Sequence, residues 1–201
     1  MDFELFEVLN GFAAHHDGFE DVMRLVAMDA HYLFVALLAV LFLARGKWRS
    51  INARRAAVAA GFSAALALGI AQAISHLWER PRPYVAHPSE AHLFIPSSFD
   101  PSFPSDHATA AFAIAVAIWL RHRAAGSIAL AMATVLSIAR VAVGTHYPGD
   151  VLGGAVIGAI AAWILWNPLI RRPLHGLAER AGGIYDSLAE GALRRRGSFA
   201  R

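Results

Sequence analysis

"FPSDHATAAFAIAVAIWL", residues 103–120, decides how the chain folds. From Ala108 onward it carries no charged residue, and large apolar side chains stand among alanines. Such a run suits a helix inside a bilayer. It nevertheless begins with Ser105, Asp106 and His107, three residues that lipid penalises. The stretch reads as a membrane helix whose first turn does chemistry.

The remainder of the chain has the same character. Of 201 residues, 57% are hydrophobic and 16% charged, against about a quarter charged in soluble domains. The mean hydropathy is +0.45. Four more apolar runs, 25–44, 56–78, 124–143 and 151–169, approach the roughly 20 helical residues that cross a hydrocarbon core. The fold class expected is an all-α polytopic membrane helical bundle with about five transmembrane helices. The absence of cysteine removes disulfides and thiolate metal sites. The net charge of +3 is spread among short loops, so no nucleic acid is expected as a partner.

Those loop charges orient the bundle. Arg45, Lys47, Arg49, Arg54 and Arg55 separate the first two runs, Arg121 and Arg123 the third and fourth, and Arg171 and Arg172 follow the fifth. If the runs alternate, all three clusters face the cytoplasm. The N-terminus, acidic through Asp2, Glu4, Glu7, Asp17, Glu20, Asp21 and Asp29, then lies outside. It lacks the basic start and cleavage site of a signal peptide. Residues 3–13 place Leu5, Leu9 and Phe12 on one helical face, too short to span, and read as an N-terminal interfacial helix. Residues 1–170 form the membrane-embedded domain. Residues 171–201 form a basic tail in which Leu174, Leu177, Ala181, Ile184 and Leu188 recur at helical spacing before Arg194–Arg195–Arg196. The tail reads as a C-terminal amphipathic helix on the cytoplasmic surface, although Gly182–Gly183 also suits a partly disordered segment. Gly154 and Gly158 form a GxxxG that allows close helix packing. The sequence sets no oligomeric state.

Three polar groups fall at the outer ends of different runs: Arg80 and Arg82 in "ERPRP", Ser105, Asp106 and His107 in "PSDH", and Arg140, His146 and Asp150 in "ARVAVGTHYPGD". Two guanidinium forks suit phosphate oxygens. A hydroxyl and the free N–H groups of a helix start add to an anion site. Two histidines can divide nucleophile and acid roles. A carboxylate four residues beyond His146 can hold one ring nitrogen and leave the other free. The set needs no metal or cofactor. Taken singly, Arg82 and Arg140 also read as interface anchors, Ser105 or Asp106 as a helix cap, and either histidine as structural. The combination is what points to phosphoryl chemistry.

The order and spacing of these groups resemble the three-part signature of the type 2 phosphatidic acid phosphatase superfamily of membrane lipid phosphatases. The resemblance rests on "RP" at 82–83, "PSDH" at 104–107 and "AR" at 139–140, with five residues before His146 and three more before Asp150. "FPSDH" and "HYPGDVLGG" are further similar to the bacitracin-resistance type of undecaprenyl-diphosphate phosphatase. The resemblance implies His146 as a nucleophile forming a phosphohistidine, Asp150 as its orienting group, and His107 as the acid that protonates the leaving oxygen. It also implies Arg82, Ser105 and Arg140 as ligands of the phosphoryl oxygens. Asp106 stands where many relatives have glycine and would orient Arg82 or shape the leaving-group site.

Two positions depart from the family pattern. The lysine expected seven residues before Arg82 is Ser75, and the serine expected before Arg140 is Ala139. His76 or Arg80 would have to supply the missing cation. The expected substrate is an isoprenoid diphosphate such as undecaprenyl diphosphate, held in membrane lipid and hydrolysed at the outer face of the plasma membrane. The alternatives are phosphatidic acid or phosphatidylglycerol phosphate, and, from another class, a non-catalytic lipid-phosphate carrier.

Overall fold

The computed structural model describes residues 1–45 and 50–199, with side chains described as far as residue 191. Lys47, Arg49 and the side chains of Arg194, Arg195 and Arg196 lie outside that description. All regular elements among the described residues are helical: α1 (Asp2–Ala14), α2 (Asp17–Leu43), α3 (Ile51–Leu77), the single turn α4 (Pro83–Ala86), α5 (Asp106–Trp119), α6 (Arg123–Ala142), α7 (Pro148–Ile164) and α8 (Pro168–Phe199).

By length and apolarity α2, α3 and α6 can each cross a membrane. The pair α7 and α8 passes the same test jointly but bends by 81° at its break. At 14 residues α5 is shorter, and it sits inside the bundle, enclosed by α3, α6 and α7. Its interior position follows from its composition. Ala108, Ala111, Ala113, Ala115 and Ala117 are all buried, and alanine lets neighbouring backbones come close where lipid supplies no hydrophobic drive. The GxxxG of α7 faces this helix. A Cβ on Gly158 would lie 2.5 Å from the Thr109 carbonyl oxygen, and one on Gly154 2.8 Å from that of Ser105. The glycine pair therefore docks α7 onto the first turns of α5, where Ser105 and His107 sit.

The sequence left open which residues of α1 pack on the protein. Phe6, Asn10 and Ala13 are buried, whereas Leu5 and Phe12 point outward. Asn10 explains the choice: its amide donates to the carbonyls of His92 (2.8 Å) and Ala142 (2.9 Å), and its oxygen accepts the His92 N–H (2.8 Å). In a membrane protein both faces of such a helix meet apolar surroundings, so the polar residue marks the protein side.

At the other end of the bundle α8 runs unbroken through Gly182 and Gly183 and packs on α3. Arg54, buried, forms a two-pronged ion pair with Asp186, both contacts 2.8 Å. A Cβ on Gly182 would lie 2.7 Å from Arg54 Nη1, so glycine makes room for this pair. Arg121 and Arg171 both stack on Trp166. The basic loops thus gather at the end opposite the start of α5.

Candidate active site

At the end where α5 begins, a cavity of about 360 Å³ is lined by Arg82, Asp106, His107, Arg140 and His146, together with Gln72, Ser75 and His76 of α3. Five of the eight residues singled out in the sequence therefore share one cavity. Each arrives differently. Arg82 sits in an extended segment (φ −70°, ψ 157°) held open by Pro83. His107 stands in the first turn of α5 and Arg140 in the last turn of α6. His146 lies in the link to α7. That link turns at Gly144, whose φ of +87° needs no side chain and whose Cβ would lie 2.1 Å from the His92 carbonyl oxygen.

The guanidinium groups are held by neutral acceptors. Arg82 donates to the backbone carbonyls of Asp100 (2.8 Å) and Thr145 (3.2 Å). Arg140 reaches the Ala27 carbonyl at 3.5 Å, and its Nε has no partner among the described residues. Neither forms an ion pair among the described residues, so both present positive charge at the cavity. Asp106 accepts a 3.0 Å hydrogen bond from Gln72 rather than pairing with either arginine.

Three expected residues lie outside the lining. Ser105 is fully buried at the N-cap of α5, its Oγ without a partner among the described residues. Asp150 is fully buried behind His146. Arg80, expected to bind substrate or replace the missing lysine, instead donates to Asp150 (2.6 Å) and Asp2 (2.6 Å) and stacks 3.9 Å from the Tyr147 ring centre. Both carboxylates hold it away from the cavity, and its pKa ends up raised because their pull outweighs the opposing effect of burial. Of the two substitutes for the lysine, His76 is the one that lines the cavity.

The partner of His146 also differs from expectation. Its Nδ1 lies 2.8 Å from the backbone carbonyl oxygen of Ser102 and 3.8 Å from the Asp150 carboxylate. A carbonyl only accepts, so Nδ1 carries the proton and Nε2 keeps its lone pair. The carboxylate acts one step further out. It accepts from the Ser102 hydroxyl (2.5 Å) and from the Tyr147 N–H (2.9 Å), fixing the segments on both sides of the ring. Burial pushes the His146 pKa down to about 4; Asp150 opposes that, and the Arg140 and Arg82 charges add to it. The ring is neutral at neutral pH, as a nucleophile requires. Ser102 escaped sequence reasoning because a backbone acceptor has no residue signature. His31 of α2 was also missed, although an ionisable residue in an apolar run is a signal; its ring centre lies 6.4 Å from that of His107.

A second, apolar cavity of about 430 Å³ adjoins the first, sharing Asp106 and His107 and lined by His31, Phe34, Leu38, Leu68, Ile114 and Leu136.

The family model of the PAP2 superfamily matches residues 56–172, more than half of the chain. Undecaprenyl-diphosphatase BcrC of Bacillus subtilis is 32% identical over 94% of this chain and 93% of its own length. The putative undecaprenyl-diphosphatase YbjG of Escherichia coli is 29% identical over 84% of both chains. Among solved structures, LpxE of Aquifex aeolicus superposes with a TM-score of 0.67 at 26% identity, covering 81% of this chain and 93% of LpxE. Fold and relatives together define a multi-pass membrane lipid phosphatase, a hydrolase. The chain belongs to the PAP2 superfamily.

Proposed function

We propose that the protein hydrolyses an isoprenoid diphosphate, undecaprenyl diphosphate above all, to the lipid monophosphate and phosphate. The observation that carries this reading is His146, its Nδ1 2.8 Å from the Ser102 carbonyl oxygen, in one cavity with His107 and two guanidinium groups that have no carboxylate partner among the described residues. His146 Nε2 attacks the terminal phosphorus in line, and the bond to the bridging oxygen breaks. Arg82 and Arg140 hold the equatorial oxygens, where charge is spread in the transition state, with the buried Ser105 hydroxyl and the N–H groups of α5 behind them. His107 protonates the departing lipid-phosphate oxygen, then takes a proton from the water that cleaves the phosphohistidine.

The adjoining apolar cavity suits the start of an isoprenoid tail. His107 lies where the two cavities meet, which is where the leaving oxygen of a lipid diphosphate would stand. The names of BcrC and YbjG favour the diphosphate. In this reading α2, α3, α5, α6 and α7 cross the plasma (inner) membrane, the basic end faces the cytoplasm and the cavity opens to the outer side.

The test is phosphate release by the purified protein in detergent, with chelator present, from undecaprenyl diphosphate and from phosphatidic acid, beside His146→Ala. Release mainly from the diphosphate and a loss of at least about 10⁴-fold in the variant are expected, since removing a covalent nucleophile leaves only binding and electrostatic terms. Preferential release from phosphatidic acid would move the substrate to glycerolipids. A well-folded His146→Ala protein with normal turnover would remove the nucleophile assignment, and loss of release on chelation would overturn the metal-free mechanism.

A further inference from the structure

Behind His146 a chain of charges runs out of the cavity and into α1. Both oxygens of Asp150 are engaged: Oδ1 by Arg80 Nη1 at 2.6 Å, Oδ2 by the Ser102 hydroxyl at 2.5 Å and the Tyr147 N–H at 2.9 Å. The other prong of the Arg80 fork, Nη2, lies 2.6 Å from Asp2 Oδ2. Asp2 Oδ1 in turn accepts the N–H of Gly149, the neighbour of Asp150, at 2.8 Å. A Cβ on Gly149 would lie 2.8 Å from Asp2 Oδ2, so the glycine gives this carboxylate its approach. At its far end α1 is fastened again through Asn10 to His92 and to Ala142 at the end of α6. The N-terminal helix expected at the interface is thus also tied to segments on two sides of the cavity.

The contact has a physical consequence. One guanidinium is shared between a fully buried carboxylate and a partly exposed one. Arg80 is the cation that faces Asp150; Ser102, Tyr147 and His146 are its other neighbours, and Asp2 lies across the guanidinium. With Asp2 present, the Arg80 fork is anchored at both prongs, and the cluster Asp2–Arg80–Asp150 carries net negative charge behind a ring that becomes cationic when phosphorylated. Without Asp2 the cluster is neutral and the guanidinium is free to pivot about its remaining partner.

We propose that Asp2, acting through Arg80, is a positioning residue for the reaction: it holds the guanidinium in the orientation that fixes Asp150 and, with it, the Ser102 segment and the His146 ring. This role rests on the reading of His146 as nucleophile. It makes α1 a working part of the site.

The experiment measures kcat and KM of the full chain, tagged at its C-terminus, for wild type, Asp2→Asn, Arg80→Gln and the double variant. His146→Ala serves as the blank. Thermal unfolding in the same detergent sets an assay temperature at which all are folded. Outer partners of site histidines typically cost about 10- to 100-fold when removed, as known best from metal sites. Asp2→Asn is accordingly expected to lower kcat about tenfold with KM changed by less than about twofold, and Arg80→Gln about 100-fold. The double variant is expected to match Arg80→Gln alone, because a residue acting through Arg80 has nothing to act on once the fork is gone. Arg80→Lys is expected not to rescue, since an ammonium lacks the rigid fork that spans two carboxylates. Wild-type kcat in Asp2→Asn, or the same fold loss from Asp2→Asn in both backgrounds, would overturn the proposal. A wild-type protein inactive on every lipid phosphate offered would instead remove the reading of the cavity, and this role with it.

Discussion

Asp150→Asn separates two ways in which a carboxylate can serve a catalytic histidine. Asp150 is fully buried and accepts from Arg80, Ser102 and the Tyr147 backbone. An amide in its place loses the charge and turns one donor toward donors. Breaking a buried pair costs about 3–5 kcal/mol. Arg80 is 23% exposed and keeps Asp2, which places the expected loss at the low end, about 3 kcal/mol. For a chain of this size that is a fall of roughly 6–12 °C in the unfolding midpoint. The catalytic cost follows from a different contact. Where an aspartate sets the histidine tautomer, its replacement by asparagine costs about 10⁴ in kcat. Here the Ser102 carbonyl, at 2.8 Å, sets it. What Asp150 adds beyond its hold on the Ser102 and Tyr147 segments, which an asparagine oxygen keeps in part, is the field of a charge 3.8 Å from Nδ1. A lone charge at about 4 Å is worth about 4 kcal/mol at an effective dielectric near 20. Arg80, on the carboxylate's other oxygen, cancels part of this and leaves about 2–3 kcal/mol, or about 100-fold. The assay is kcat for phosphate release below the lowered transition. A loss of 10⁴ in a folded chain would refute the reasoning and return the tautomer to Asp150.

His146 also makes stability depend on pH. Its pKa is about 4 in the fold and about 6.5 unfolded. As pH falls from about 6.5 to about 4 only the unfolded chain gains the proton, so stability is full above that window and drops by about 3 kcal/mol across it. Unfolding midpoints at pH 7 and pH 4.5 should show this drop in wild type and a flatter response in His146→Gln; equal slopes would refute it. Gly158→Val places a Cβ 2.5 Å from the Thr109 carbonyl oxygen. Overpacking of this kind costs about 1–3 kcal/mol and forces α7 off α5, so both midpoint and phosphate release should fall. Unchanged values would mean that the two helices do not meet through this face.

What the sequence made legible were the residues lipid rejects. Arg82, Asp106, His107, Arg140 and His146 stand at the ends of apolar runs where only function or burial justifies them, and they share one cavity. The same logic reads α1 better than its apolar stripe does. Phe3, Leu5, Phe6, Leu9 and Phe12 surround that helix, so hydrophobicity names no inner face, whereas Asn10 does. The division of roles between Arg80 and Arg82 was beyond such reasoning. Two residues apart in a proline-bound segment, they meet different partners: Arg80 the two carboxylates, Arg82 the Asp100 and Thr145 carbonyls. Which of them meets the cavity depends on Asp2, 78 residues away, and on Asp150, 70 residues away. Ser102 was hidden for a further reason: the atom that holds His146 is a carbonyl oxygen that any residue would provide, and only its hydroxyl, closing on Asp150, makes the serine specific. The charges proposed to hold phosphate thus announce themselves in the sequence. The groups that aim them are chosen by the fold, and their loss is expected to show in kcat before it shows in KM.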